Sequence, residues 1–217
     1  STLFPYTTLF RSPYRALLAL EYKKLPYESH LVQFAKQEHK SPQMLQMNPR
    51  GRVPVLKDGD YVCFESLAII QYLDRKYPDL PLLGRSAEEA GTIMRVICEY
   101  QAYAEEHIMK VIYAILFQGA EAYSDEIARA MLLVASEART IETRLSKSSW
   151  LVEEHFSAAD VVIFPGIQML LRALDRREAQ DLRGRLLPLE TNYPAIAAWI
   201  KPIWRSEERR VGKECRS

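Results

Sequence analysis

The fold is decided by residues 48–66, which read NPRGRVPVLKDGDYVCFES. Residues 53–56 form a short apolar run, and Pro54 within it has no N–H to donate to a neighbouring strand. This run should therefore begin a strand or lie at a sheet edge. Asp58-Gly59 is a strong hairpin signal, which predicts a type I′ turn and a return strand at residues 61–64.

The residues after this hairpin predict a helix. Leu67, Ile70 and Leu73 recur at helical spacing directly after Glu65-Ser66. The first backbone N–H groups of a helix have no partner within the helix, so this start can hold an anion. Alone, the pattern is equally typical of a simple N-cap without a ligand.

Helix and strand signals alternate in the first third of the chain, as in a small α/β unit. Residues 16–24 predict a helix and residues 27–34 predict a strand. Ser41-Pro42 predicts an N-cap followed by proline at the first helical position. We therefore expect a first domain at residues 1–76, followed by a linker at 77–86, which contains two prolines and a glycine.

Everything beyond this linker predicts helix, and we expect an all-helical domain at residues 87–204. Apolar residues recur there at spacings of three and four. N-caps are expected at Ser86 with Glu89, at Ser124, and at Ser157 with Asp160, and a last helix should start at Pro194.

Both ends of the chain look foreign. The opening STLFPYTTLFRS can be encoded by a DNA string whose reverse complement translates as RSEERRVGKECR, the residues at 205–216. Sequencing-library adapter translated at both ends of a gene fragment accounts for this relation. We therefore expect residues 1–12 and 205–217 to be non-native, and we exclude them from functional reasoning.

The remaining charge and cysteines exclude several function classes. The two excluded ends carry net charges of +1 and +2, so the reported +1 becomes −2 for the rest of the chain. No concentrated basic patch suggests nucleic acid or an anionic membrane. Cys63 and Cys98 fit neither a disulfide framework nor a metal pair, so we expect both to be small buried residues in a cytoplasmic protein. The four histidines lack metal-ligand spacing, and no metal is predicted.

Several motifs in the right order resemble the cytosolic glutathione transferases of the phi and theta type. They are residues 38–42 (EHKSP), 48–56 (NPRGRVPVL), 58–60 (DGD), 64–73 (FESLAIIQYL) and 156–165 (FSAADVVIFP). The resemblance covers roughly residues 14–204. It implies a thioredoxin-like α/β N-terminal domain and an all-α C-terminal domain, the glutathione transferase fold.

The resemblance also implies how glutathione is held. A cis bond at Val53-Pro54 would turn the Val53 N–H and C=O outward to pair with the cysteinyl unit, as one more strand would. Glu65 and Ser66 would hold the γ-glutamyl end, with Ser66 on the α-carboxylate and Glu65 on the ammonium. The glycyl carboxylate would be met by His39, Lys40 and Arg52.

The catalytic group is harder to place. Relatives carry a serine or cysteine after the first strand, and it stabilises the glutathione thiolate, which is the nucleophile. The resemblance places this position near Phe10, which has no hydroxyl. Ser12 is the candidate that we retain, and Tyr14 is the alternative, although an aromatic residue at a helix start is typical of packing.

The function that this resemblance implies is conjugation of the glutathione thiolate to electrophilic small molecules, with detoxification as the role. Glutathione is the co-substrate, no cofactor is implied, and the second partner is an apolar electrophile. That electrophile is expected between the domains, where Tyr100, Tyr103, His107 and Met109 are candidate wall residues, although such residues are more often core.

Three other functions remain open for a protein with the same fold. They are a glutathione-dependent isomerase, a dehalogenase and a non-catalytic interaction module. Relatives form homodimers, and phi-type members insert an aromatic residue from the loop at Arg50. Loss of the native first strand and catalytic turn would impair this particular chain.

Overall fold

A computed structural model describes residues 2–4, 11–118, 125–152, 154–176 and 179–214. These residues form two compact units. The first comprises the described residues of Ser1–Ile97 together with Ser157–Met169, and the second those of Cys98–Phe156 and Leu170–Ser217. In the described part of the chain, no helix is both long and apolar enough to cross a bilayer.

The first unit contains a mixed four-stranded sheet with strand order β2-β1-β3-β4. Its strands are β1 (Thr2–Phe4), β2 (Glu28–Ser29), β3 (Val55–Asp58) and β4 (Tyr61–Phe64). β1 runs parallel to β2, whereas β3 is antiparallel to both β1 and β4. The thioredoxin-like sheet expected from the sequence is thus present, and residues set aside as foreign form one of its inner strands.

Two details of the predicted sheet are wrong. The predicted strand at residues 27–34 is only Glu28–Ser29, because its partner β1 offers just three residues for pairing. The hairpin turn is centred on Gly59 and Asp60, and of these only Gly59 has positive φ, at 62°. A positive φ at the first central residue alone is the type II′ pattern, not the predicted type I′.

Two of the helices of the first unit begin at serine residues whose hydroxyl groups cap them. Up to Ile97, the helices of this unit are α1 (Arg11–Tyr22), α2 (Pro42–Met47), α3 (Ser66–Lys76) and the first part of α4 (Ala87–Tyr100). The Ser41 hydroxyl accepts the Met44 N–H at 3.3 Å, which confirms the predicted N-cap of α2. The Ser86 hydroxyl likewise accepts the Glu89 N–H at 3.1 Å before α4.

A buried ion pair joins α1, α3 and the linker after α3. Lys23, whose side chain is fully buried, donates to Asp74 Oδ1 at 2.8 Å and to the carbonyls of Asp79 and Leu80. The Asp74 carboxylate also accepts the N–H groups of Leu82 and Leu83 at 2.7 and 3.1 Å. The ammonium group and both oxygens of the carboxylate thereby have partners within the first unit.

The same linker contacts the start of α7 (Ala158–Leu174). The Ala158 N–H donates to the carbonyl of Leu82 at 2.8 Å. Asp160 is fully buried, and its Oδ2 accepts the Ser157 N–H at 2.9 Å, which confirms the predicted cap. The first half of α7 therefore belongs to the same compact unit as the sheet.

The second unit is built from helices. α4 is followed by a π-helical turn at Gln101–Glu105, by α5 (Glu106–Tyr113) and by a second π turn at Ala114–Gln118. The rest of the unit contains α6 (Asp125–Leu145), the end of α7, α8 (Gln180–Arg183), α9 (Leu189–Asn192) and α10 (Pro194–Glu214). The predicted N-cap at Ser124 lies outside the described residues.

α10 begins at Pro194, as predicted, but its cap comes from another helix. The Glu142 carboxylate of α6 accepts the N–H groups of Ala195 and Ile196 at 2.8 and 2.9 Å. A carboxylate at this position satisfies two N–H groups and complements the positive end of the helix dipole.

Candidate functional site

The loop before β3 is held by a buried asparagine. Asn48 is 1% exposed, and its Nδ2 donates to the carbonyl of Arg52 at 2.8 Å. Its Oδ1 accepts the Arg50 N–H at 3.1 Å, and its carbonyl accepts the Gly51 N–H at 2.8 Å. Sequence reasoning quoted Asn48 without giving it a role, although an asparagine before a Pro-Arg-Gly turn is typical of this backbone bonding.

Val53 is the last residue of this loop, and its backbone N–H and C=O groups are available to a ligand. The Val53-Pro54 peptide bond is cis, as predicted, and Val53 packs against the small core of Val32, Met44 and Val55. None of the described residues forms a hydrogen bond with the N–H or C=O of Val53. One donor and one acceptor therefore remain beside the paired strand β3, and an extended peptide needs both.

The predicted cations His39 and Lys40 lie against this loop. Lys40 is exposed, and its Nζ donates to the carbonyl of Arg50 at 3.2 Å. His39 stacks on Phe34, with ring centroids 4.1 Å apart. Its Nδ1 is buried without a hydrogen-bond partner among the described residues. Any polar contact of the His39 ring with a ligand must therefore come from Nε2.

Gly51 allows this close approach of Lys40 and His39. Its φ is +57°, and a Cβ there would lie 2.7 Å from the carbonyl oxygen of His39 and 3.0 Å from Lys40 Nζ. A side chain at this position would therefore push on two of the three predicted ligands of the glycyl carboxylate, His39 and Lys40. This role of Gly51 was missed in the sequence, where the glycine was quoted only as part of a motif.

Arg52 is exposed, and among the described residues its guanidinium has no ion-pair partner. Its carbonyl is the one that Asn48 holds, so the backbone of this residue is fixed while the side chain reaches solvent. The Arg52 guanidinium is therefore available to an anion, and its predicted role on the glycyl carboxylate stays a prediction.

Glu65 and Ser66 lie at the junction of β4 and α3. Glu65 is exposed and adopts φ 70° and ψ 120°, a left-handed conformation that side chains rarely adopt and that costs about 1–3 kcal/mol. Ser66 is the first residue of α3 and is 7% exposed. Its hydroxyl has no hydrogen-bond partner in the described part of the chain. The junction therefore presents a free carboxylate and a hydroxyl at a helix start.

Ser12 lies in the first turn of α1 and is partly buried. Phe10, the position that the resemblance indicates for the catalytic serine, lies outside the described residues. Tyr14 is 2% exposed and packs against Phe164, with ring centroids 6.0 Å apart, so it belongs to the core. Of the two candidates, only Ser12 keeps an exposed fraction at the helix start.

The two cysteines, Cys63 and Cys98, differ in their exposure to solvent. Cys63 is buried as predicted, and burial raises the pKa of its thiol, which therefore stays neutral at physiological pH. Cys98 is exposed, so that prediction is wrong. It lies on the face of α4 opposite to buried Ile93 and Ile97. Within the described ranges, no cluster of histidine, cysteine or carboxylate side chains could hold a metal ion.

The four residues predicted to line the electrophile site also differ in their exposure to solvent. Tyr100 is 4% exposed and belongs to the core of its unit, whereas Tyr103 is 61% exposed. His107 and Met109 are half-buried. Sequence reasoning missed an exposed aromatic pair, Tyr113 and Phe117, whose ring centroids are 5.2 Å apart across the start of the second π turn.

A Gly51→Ala substitution tests how the loop supports the site. We expect the dissociation constant for S-hexylglutathione, measured by calorimetry, to rise about tenfold, because the new Cβ displaces His39 and Lys40. The control is Gly91→Ala in α4, where a Cβ meets no atom within 4 Å. Equal affinities of the two variants would show that this loop does not position the ligand.

Comparison with known proteins gives the family. Residues 5–75 match the family described as glutathione S-transferase, N-terminal domain, and residues 124–201 match glutathione S-transferase, C-terminal domain. Glutathione S-transferase F10 of Arabidopsis thaliana is 33% identical over 202 residues, which cover 89% of this chain and 93% of that protein. The chain therefore belongs to the glutathione S-transferase family.

Solved structures agree on the fold. Poplar glutathione transferase F1 has a TM-score of 0.81 at 22% identity, covering 100% of this chain and 98% of its own. A glutathione S-transferase-I bound with lactoylglutathione has a TM-score of 0.77 at 26% identity, covering 96% of each chain. The glutathione transferase fold predicted from the sequence is confirmed.

Proposed function

We propose that this protein is a glutathione transferase that conjugates the thiolate of glutathione to apolar electrophilic small molecules. The observation that carries the proposal is the available N–H and C=O of Val53, beside a paired strand, in a chain of this family. The similarity to a transferase bound with a glutathione derivative supports it further. The isomerase, the dehalogenase and the non-catalytic module are not favoured.

The ends of glutathione are assigned from charge. The γ-glutamyl α-carboxylate accepts hydrogen bonds from the Ser66 hydroxyl and from the first N–H groups of α3. The neighbouring ammonium pairs with Glu65, whose carboxylate is exposed at the same junction. The glycyl carboxylate is met by Lys40, by Arg52 and by His39 through its Nε2. The cysteinyl unit pairs with Val53, which leaves its sulfur outside these contacts.

The proposal is tested with glutathione resin and with a generic aryl halide, 1-chloro-2,4-dinitrobenzene. We expect retention on the resin, elution by free glutathione and saturable formation of the thioether at pH 6.5. The Ser66→Ala variant should be retained less on the resin although it remains folded. Absence of both retention and turnover in the folded chain would refute the proposal. Retention without turnover would favour the interaction module.

Ser12 belongs to the segment that we propose to be non-native, and we propose it as a chance substitute for the native serine: it donates a hydrogen bond to the glutathione sulfur and so lowers the pKa of the bound thiol. Ser12→Ala should reduce kcat with the aryl halide about tenfold at pH 6.5, with an unchanged affinity for S-hexylglutathione. Because the thiol then ionises at higher pH, the deficit should shrink as pH rises through 9. A deficit that does not change with pH would exclude this role.

The remaining predictions on organisation are proposals of the same kind. We propose domain boundaries at residues 1–76 and 87–204, with a linker at 77–86. The ends at residues 1–12 and 205–217 are proposed to be non-native. We further propose a cytoplasmic homodimer with a role in detoxification, in which Arg50 replaces the aromatic residue that phi-type relatives insert. Size-exclusion chromatography with light scattering tests the dimer.

A further inference from the structure

The segment before α2 brings the aromatic ring of Phe34 onto the imidazole ring of His39. Both residues lie in one-turn 3₁₀ helices, which are joined by Gln37 in the left-handed conformation at φ 60°. The Gln33 N–H donates to Glu38 Oε2 at 2.6 Å, and the Glu38 N–H donates to the carbonyl of Gln33 at 3.3 Å. These two hydrogen bonds close the segment on itself, so the backbone holds the two rings near each other.

The two rings form a stacked pair. Their centroids are 4.1 Å apart, and their planes are inclined by 11°. Phe34 is half-buried and also packs against the small core of Val32, Met44 and Val55. The position of the Phe34 ring is therefore fixed by the fold, and the His39 ring takes its plane from it.

The imidazole of His39 lacks the hydrogen bond that usually orients a functional histidine. Where one ring nitrogen contacts a ligand, the other nitrogen is usually held by a carbonyl or a carboxylate. Nδ1 of His39 is buried, and no described residue forms a hydrogen bond with it. Stacking on Phe34 is thus the contact that limits rotation of the ring. A carboxylate only accepts hydrogen bonds, so it needs the proton on Nε2, and Nδ1 then carries no buried proton without an acceptor.

We propose that Phe34 is a positioning residue for glutathione, because it holds the His39 ring with the Nε2–H directed at the glycyl carboxylate. The inference rests on the proposed function, and Phe34 acts in it only through His39. It also implies a selectivity, because an ester of the glycyl carboxylate has lost the charge that this N–H group binds. Glutathione with a free glycyl carboxylate should therefore be preferred over its glycyl ester, in part through Phe34.

The test measures two dissociation constants of the full chain by calorimetry, one for S-hexylglutathione and one for its glycyl monoethyl ester. Phe34→Leu should weaken binding of the free acid about fivefold, because the His39 ring can then rotate away. Binding of the ester should change less than twofold, so the ratio of the ester constant to the free-acid constant should fall. Phe34→Tyr keeps a flat ring for stacking and should keep the ratio of the parent protein.

A double-mutant cycle separates positioning from packing. His39→Ala removes the imidazole, so adding Phe34→Leu to that variant should weaken S-hexylglutathione binding by less than twofold. If the fivefold loss persists without the imidazole, Phe34 acts by packing alone and the proposal is overturned. It is equally overturned if Phe34→Leu binds both ligands like the parent protein.

The matched control is Met47→Ala, because Met47 packs against the same small core but is not part of the stacked pair. Any loss of affinity in this variant should be equal for the two ligands, so the ratio should stay that of the parent protein. A ratio that falls as far as in Phe34→Leu would overturn the proposal, since damage to the core would then account for it. Far-UV circular dichroism checks that each variant is folded. Failure of the proposed function would look different, because the parent protein would then bind neither ligand.

Discussion

Replacing Asp74 with asparagine is expected to lower the free energy of unfolding by about 3–5 kcal/mol, measured by urea denaturation. The side chain of Lys23 is fully buried, and Asp74 is its only charged partner among the described residues. The substitution leaves an ammonium group without a counter-charge. It also weakens the acceptor for the N–H groups of Leu82 and Leu83, which hold the linker.

The control is Asp58→Asn, which breaks a shorter but exposed pair. Asp58 Oδ2 lies 2.6 Å from Lys76 Nζ, and the Lys76 side chain is 42% exposed. Lys76, assisted by the hydroxyl of Tyr72, lowers the pKa of Asp58, yet water screens this pair. The urea midpoint of Asp58→Asn should therefore shift several-fold less than that of Asp74→Asn. Equal shifts would mean that the burial of Lys23 and Asp74 does not determine their contribution.

Replacing Ser66 with alanine is expected to raise KM for glutathione about 10- to 100-fold, with kcat changed less than about threefold at saturation. On the proposed assignment, the variant loses a hydrogen bond from the nearly buried Ser66 hydroxyl to a carboxylate, which contributes about 1.5–3 kcal/mol. This contact lies at the γ-glutamyl end and does not touch the sulfur, so the chemical step is preserved once glutathione is bound.

Ser86→Ala is the matched control, since Ser86 also stands at a helix start. Its hydroxyl caps α4 by accepting the Glu89 N–H, and its loss should cost about 1 kcal/mol of stability. KM for glutathione should stay unchanged in this variant. If Ser66→Ala leaves KM for glutathione unchanged, as Ser86→Ala should, then the assignment of Ser66 to the γ-glutamyl subsite is wrong.

The parts of the fold that sequence predicted well depend on neighbouring residues. The caps at Ser41, Ser86 and Ser157 each join a side chain to a backbone group two or three residues away. By contrast, the length of β2 depends on its partner β1, and nothing between residues 27 and 34 encodes that limit. The pair of Lys23 and Asp74 joins residues 51 positions apart, which spacing cannot reveal.

The candidate site divides in the same way. Local chain chemistry predicted the helix start at Ser66, whereas the local sequence left cis and trans open at Val53-Pro54 and the cis bond was expected from the resemblance. The orientation of His39 depends on stacking against Phe34, and the position of Lys40 depends on Gly51. These are packing relations between separate segments, so residue type alone could not indicate which nitrogen of His39 is available.

The carboxylate of Glu142 on α6 has a consequence for the stability of α10. α10 has no cap of its own and takes it from a residue more than 50 positions earlier. Its first turn therefore depends on α6 being in place beside it. Replacing Glu142 would leave two backbone N–H groups at the start of α10 without their acceptor, so a substitution in α6 should destabilise the C-terminal helix.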